Sequence, residues 1–379
     1  MKKILFVRPD YHSSFIMAQE LNKRGIKSKI FVGFNYPKNL LYGDLNTISS
    51  IRFKKKNKIN TFVSIIFDFL LFLSCIIRYD VFIYYGITPQ FYYEDLFAKF
   101  LNNFSTEFFL IRTFGKKIII RPTGCLEEFL KSDFKKIDSN VCNNCGFFNQ
   151  CNSEENLRKF RLVNKYSNLN IGFGFFNTQY YKSKQIKYKS IDLSEWKPGI
   201  TIPIKFKLNK RKNTFYVLHS SYINQSGRGN YKNKDIKGSI YISEAITKLK
   251  LEGYKIELIF IENQESKNMK YYQSQADLVI DQLIYGHFGS SSIESMALGK
   301  PVVCYLNPKW KDFFFKCFPE YNKFPIIEAD TENIYSTIKK CLEGEIDLIQ
   351  TGKNSRIFAK KHFNPVVNSN ILLEEINNL

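Results

Sequence analysis

Short apolar runs that precede glycine-containing turns alternate along this chain with segments of helical spacing. That alternation limits its folds more than any other feature. The first run, Ile4–Val7, is followed by Ser13 and Ser14, either of which can cap a helix carrying Met17, Ala18 and Leu21, with Gly25 closing it. Lys29–Val32, Val81–Tyr85, Lys117–Ile120 and Ile171–Phe176 are further β-rich runs. Residues 194–213 (SEWKPGITIPIKFKLNKRKN) interrupt the pattern with Pro, Gly and a basic run. It then restarts with Thr214–Leu218, a helix face of Ile242, Ala245, Ile246 and Leu249, and strands at Ile256–Ile261, Leu278–Ile280 and Val302–Leu306. Parallel doubly wound sheets are the expected product, one on each side of the interruption. The expected division is an N-terminal Rossmann-like domain over 1–198 with a Cys-rich insertion at 125–151, and a second domain over 199–363. A last helix over 364–379 can return to the first domain. The chain has 379 residues, which suits two domains of roughly 100–200 residues each.

Charge narrows the partners. Lys and Arg number 56 against 35 Asp and Glu, a formal +21. Such an excess calls for an anion: nucleic acid, a membrane surface or a phosphorylated small molecule. No RNP-type aromatic pattern or His-paired zinc finger is present, so nucleic acid is set aside. The 36 Phe and 23 Tyr exclude a disordered chain.

The run Ile4–Val7 is too short for a signal-peptide core and is followed at once by Arg8, which predicts a cytoplasmic protein. Phe62–Ile77 is almost wholly apolar but short, and Asp68 interrupts it. It reads as a buried core helix or as an interfacial helix, not a span. Lys54–Lys58 before it and Arg78 after it suit docking at an anionic inner membrane face.

The chemistry concentrates in residues 277–306, DLVIDQLIYGHFGSSSIESMALGKPVVCYL. A buried strand ends at Asp281. A loop with Gly286 and Gly289 then opens a helix through Ser290, Ser291 and Ser292. Loop N–H groups, the helix N-terminus and the hydroxyls make an anion site, and Glu294 can accept bonds from vicinal hydroxyls. Diphosphate on the N–H groups and ribose on Glu294 together describe a nucleotide. The loop 224–238 adds Arg228, Lys232, Lys234 and Lys237, a fork and point charges that suit phosphate. No Asp-x-Asp triplet occurs, so basic side chains rather than a carboxylate-held metal are expected to neutralise a leaving diphosphate, with no catalytic cofactor.

This stretch resembles the donor-site motif of GT-B glycosyltransferases, particularly the retaining family-4-type (group 1) enzymes. Their pattern runs roughly E-G-F-G-x-x-x-x-E-A-M-A-x-G-x-P-V. Here G-H-F-G-S-S-S-I-E-S-M-A-L-G-K-P-V spans Gly286 to Val302. His219 at a strand end and Lys237-Gly238 after the next loop are similar to the family's phosphate-contacting positions. Asp192 and Trp196 look like its interdomain segment. YDVFIYYG (79–86) and KKIIIRPTG (116–124) are similar to two N-domain strands with ligand-facing turns.

The resemblance implies two Rossmann-like domains facing across a cleft. It also implies transfer of a sugar from a nucleotide-diphosphate sugar to a glycan or lipid-linked acceptor in cell-surface polysaccharide synthesis. One position departs: the family's first Glu is Gly286 here. That leaves donor sugar and stereochemistry open, with Asp281 or His287 as candidates to take over part of its role. A GT-B-fold epimerase and a non-catalytic nucleotide-sugar-binding protein are the alternatives. The epimerase would need several acid/base groups, and the chain has only four His.

On the acceptor side, Asp10 or His12 could serve as general base or acceptor contact, and Arg121 and Thr123 as acceptor ligands. Cys142-x2-Cys145-x5-Cys151, with Cys125 as a fourth candidate, has the spacing of a structural zinc site, free thiols and an iron–sulfur cluster being the other readings. Cys75, Cys304, Cys317 and Cys341 are expected in the core.

Overall fold

The computed structural model describes residues 2–9, 12–33, 47–49, 58–91, 104–128, 130–139, 141–145, 148–151, 153–172, 183–185, 189–221, 237–262 and 264–379. It divides into two compact units: residues 1–130, 150–190 and 365–379, and residues 131–149 with 191–364. Each is a parallel α/β sheet layered with helices, a Rossmann-like architecture.

In the first unit β1 (Ile4–Val7), β2 (Ser28–Val32), β3 (Thr47–Ser49), β4 (Val81–Tyr85), β5 (Lys117–Arg121), β6 (Leu169–Gly172) and β7 (Lys184–Gln185) form one sheet in the order β3-β2-β1-β4-β5-β6-β7. Every pairing is parallel. β1 and β4 are buried throughout because helices cover both faces. The side-chain period of two splits their residues between two cores. Leu5, Val7, Phe82 and Tyr84 pack with Phe72, Cys75 and Ile76 of the helix Lys58–Arg78. Ile4, Phe6, Val81, Ile83 and Tyr85 pack on the other side with the helix Ser13–Lys23 and with Leu372 and Ile376 of the last helix, Pro365–Asn377. Leu373 and Leu379 pack against the same core, partly buried. Arg24 donates to Val366 O at 2.8 Å.

The first helix begins differently from the expectation. Its N-cap is His12, with no side-chain capping bond, while Ser13 Oγ accepts from Ser190 N at 3.1 Å. Ser13 is thus taken by a tertiary partner that the local sequence does not reveal.

The second unit holds β8 (Phe215–Ser220), β9 (Ile256–Ile261), β10 (Leu278–Ile280), β11 (Val302–Cys304) and β12 (Ile327–Glu328) in the order β12-β11-β10-β8-β9, again all parallel. The order reverses between β8 and β10, where His219 stands opposite Ile280. Open α/β sheets bind ligands at the carboxyl ends of strands beside such a reversal.

Residues 131–149 belong to this second unit and not to the N-terminal run in which the sequence places them. The ring of Phe134 meets that of Tyr285 edge-on at 5.5 Å, and Asn307 Nδ2 donates to Ile137 O at 3.0 Å. Asp192 and Trp196 also belong to it. Trp196 is fully buried, and Arg356 donates to Trp196 O at 2.7 Å and Leu193 O at 3.2 Å.

Among the described residues no helix is long and apolar enough to cross a membrane. The helix Lys58–Arg78 buries Ser64, Asp68 and Phe72 on its inner side. It exposes Phe62 (63%), Ile66 (43%), Phe67 (48%) and Leu70 (54%) on its outer side.

Candidate functional site

The carboxyl end of β10 delivers Asp281 to the strand-order reversal, and its carboxylate organises everything around it. The side chain is 1% exposed. Oδ2 accepts from Gly289 N at 2.8 Å and from Ser292 Oγ at 2.7 Å. Oδ1 accepts from Lys237 Nζ at 3.2 Å, and Lys237 also donates to Ser220 O at 2.9 Å. Burial pushes the Asp281 carboxyl pKa upward, but the Lys237 charge and the bonds from Ser292 and Gly289 outweigh it and hold the group below the ordinary Asp value.

Local sequence explains how these groups arrive. Gly238 has φ +77°, and a Cβ there would stand 3.1 Å from Leu283 Cβ. Glycine lets the chain turn tightly beside β10, so that Leu283 N can bond to Lys237 O at 3.1 Å. Gly289 lies against the Asp281 carboxylate, 3.1 Å from where its Cβ would be. The helix Ser290–Ala297 starts immediately after it. A helix start ordered by a buried carboxylate, next to a lysine ammonium, is a pre-built site for an oxyanion.

Glu294 lies one turn into that helix and is buried. Its Oε2 accepts from Gln273 Nε2 at 3.1 Å. Ser290 and Ser291 are half-buried at the helix start.

His219 differs from the expectation of a donor contact. It is fully buried, with its ring nitrogens 2.9 Å from Ile280 O and 2.7 Å from Ser239 Oγ, so it pins β8 to β10 and to the following helix. Asp281, for its part, spends its oxygens on Lys237, Gly289 and Ser292, which suits a positioning carboxylate and not a direct sugar ligand. His287 packs against Tyr285 and Trp310. Arg228, Lys232 and Lys234 lie outside the described residues.

In the first unit the order reverses between β1 and β4, and polar groups gather there too. Arg8, just after β1, has φ +59°, a backbone conformation that non-glycine residues rarely adopt. Its Nη1 donates to Glu127 Oε1 at 3.2 Å. Glu127 Oε2 accepts from Thr123 N at 2.8 Å and from Thr123 Oγ1 at 2.6 Å. Gly86, just after β4, has φ +119°, and a Cβ there would be 2.6 Å from Arg8 Nη1. The Arg121 guanidinium sits over the Tyr85 ring at 5.2 Å. His12 is buried at the helix start, and Asp10 lies outside the described residues. Glu127 was not singled out by sequence; only its closeness to Thr123 in the turn after β5 hints at it.

Among the described residues no group of three or more His, Cys, Asp or Glu side chains is arranged to hold a metal. Cys125 and Cys151 fall in the first unit, Cys142 and Cys145 in the second, and none of the eight cysteines is in a disulfide. Cys75, Cys304 and Cys341 are buried as expected, whereas Cys317 is only half-buried.

Residues 236–358 match the family described as glycosyl transferases group 1. That match covers 123 of the 379 residues, all within the second unit. No curated protein matches the chain. Among solved structures, HepE of Anabaena in complex with UDP and glucose is similar over 100% of both chains, at 14% identity and a TM-score of 0.61. Sucrose-phosphate synthase of Thermosynechococcus elongatus is similar over 100% of this chain and 99% of its own, at 12% and 0.61. WaaG, a glycosyltransferase involved in lipopolysaccharide biosynthesis, is similar over 97% and 99%, at 12% and 0.54.

Within the matched residues the departure at Gly286 has a steric basis. Gly286 has φ +100°, and a Cβ there would meet Asn307 Cβ at 3.0 Å. Asn307 N also donates to Gly286 O at 2.8 Å. The loop is built for glycine, so the family's first Glu cannot be fitted without moving it.

Proposed function

We propose that the protein transfers a sugar from a nucleotide-diphosphate sugar to a glycan or lipid-linked acceptor in polysaccharide assembly, without a catalytic metal. The observation that carries this reading is the Asp281 network, which sets Lys237 and the start of the helix Ser290–Ala297 side by side at the carboxyl end of β10. The Lys237 ammonium and the N–H groups of Ser290–Ser292 bind the donor diphosphate. When the bond from the anomeric carbon to the β-phosphate oxygen breaks, negative charge grows on that oxygen, and these donors stabilise it. Arg228 adds a second cation. Glu294 accepts bonds from the ribose hydroxyls.

On the acceptor side we assign Arg121 and Thr123 as ligands and Asp10 or His12 as the group that contacts or deprotonates the attacking hydroxyl. The exposed apolar side of the helix Lys58–Arg78, following the basic run Lys54–Lys58, is the surface that docks on anionic lipid and brings a lipid-linked acceptor within reach. Structure at 54–57 lies outside the described residues.

A thermal-shift series over UDP, ADP, GDP and CDP tests the donor side, since a ligand that binds the folded state raises its apparent stability. HepE is solved with UDP, which makes UDP the first probe. The expected result is one clear stabiliser, lost in Lys237→Ala; no shift with any of the four would overturn the reading. Gly286 in place of Glu favours a second reading, nucleotide-sugar binding without transfer. Release of nucleoside diphosphate from the donor on adding acceptor decides between the two. Product analysis with donor alone identifies an epimerase.

A further inference from the structure

Gln273 is the last residue of the short helix Met269–Gln273 and is fully buried. Its Nε2 donates to Glu294 Oε2 at 3.1 Å and stands 3.4 Å from Ser291 Oγ. Its Oε1 is enclosed and has no hydrogen-bond partner. A buried amide with an unmet carbonyl is a poor filler: a leucine or methionine would occupy the same space without burying an unpaired acceptor. The stabilising bond that the amide does make is to the carboxylate of Glu294, at the start of the helix that the Asp281 network orders.

We infer that Gln273 is the positioning residue for Glu294. Its NH2 group holds the carboxylate in the one orientation that accepts bonds from vicinal hydroxyls, and so sets discrimination for ribose. This rests on the reading of Glu294 as the ribose ligand. Gln273 lies outside the Gly286–Val302 motif, and it reaches the site only because the helix Met269–Gln273 packs beside the helix Ser290–Ala297. A neutral amide is the suitable partner. A second carboxylate would repel Glu294 until one of the two took up a proton, and a lysine would cancel its charge.

Calorimetry of UDP, ADP and GDP, each against its 2′-deoxy counterpart, tests this on the full-length protein. The wild type is expected to prefer the ribonucleotide by about 10-fold, the worth of one good hydrogen bond to a charged group. Gln273→Leu and Gln273→Met should bring that ratio close to one while leaving deoxynucleotide affinity nearly unchanged. A purely packing role would not produce this pattern. Gln273→Glu should lack the preference at neutral pH and regain it as the pH falls and a shared proton restores a donor. Two results separate the failures. A wild type without ribose preference overturns the Glu294 reading and this inference with it. A wild-type preference that survives unchanged in the Leu and Met variants overturns this inference alone.

Discussion

Lys237 Nζ stands 3.2 Å from Asp281 Oδ1, and the other oxygen of that carboxylate holds Gly289 N and Ser292 Oγ. One buried acid thus ties that lysine to the start of the helix Ser290–Ala297. Asp281→Asn keeps the shape but leaves Lys237 without its counter-charge. Breaking such a pair costs about 3 kcal/mol, the lower end of the buried-pair range because Lys237 is partly exposed. Urea denaturation should show this loss, and calorimetry a weakened nucleoside diphosphate.

The same network predicts an acid-side dependence. The Asp281 pKa is depressed on folding, so its contribution is complete above the unfolded value of about 3.9 and fades as the pH falls through the lower folded value. Stability of the wild type minus that of Asp281→Asn should therefore be constant from neutral pH down to about 5 and shrink below about 4. A difference that instead persists undiminished to pH 2 would place the stabilisation elsewhere.

Gly286→Glu, which writes the family's first Glu back into the motif, should fail to improve transfer. The residue would need φ near +100° and would press on Asn307 Cβ. A cost of about 1–3 kcal/mol is expected. Denaturant midpoints check the cost, and donor turnover checks the function.

Gly86→Ala should act on the acceptor side alone. The new methyl would meet the Arg8 guanidinium and force a strained φ, disturbing Arg8–Glu127 at the β1/β4 reversal. The expected outcome is an acceptor KM raised several-fold with donor affinity unchanged. Equal loss of donor binding would count against assigning this cluster to the acceptor.

Phe62→Ser with Leu70→Ser should lower co-sedimentation with vesicles containing phosphatidylglycerol, and should hardly affect thermal stability, because both side chains face outward. Binding that depends on salt but not on these two residues would leave only the basic run in play.

Much of the architecture was legible because burial writes itself into strands. ILFV and VFIYY have no polar position, which only a sheet covered on both faces accommodates. The Gly-Ser helix start was legible for a related reason: a glycine turn running into a helix is written in contiguous residues. Residues whose role depends on a distant partner were harder to read. His219 looked like a ligand contact at a strand end, yet Ser239 and Ile280 take up its ring. Ser13 looked like a cap, yet it receives Ser190 N.

The sequence by itself determined two parallel α/β sheets and the glycine-marked turn before the helix Ser290–Ala297, since these follow from local periodicity and glycine placement. Tertiary structure alone decided that residues 131–149 pack in the second unit, that Asp281 joins Lys237 to Gly289 and Ser292, and that Gln273 and Glu127 reach the sites. The physical reason is that hydrogen bonds and ion pairs act over about 3 Å. Residues far apart in the chain acquire these roles only when packing sets them side by side.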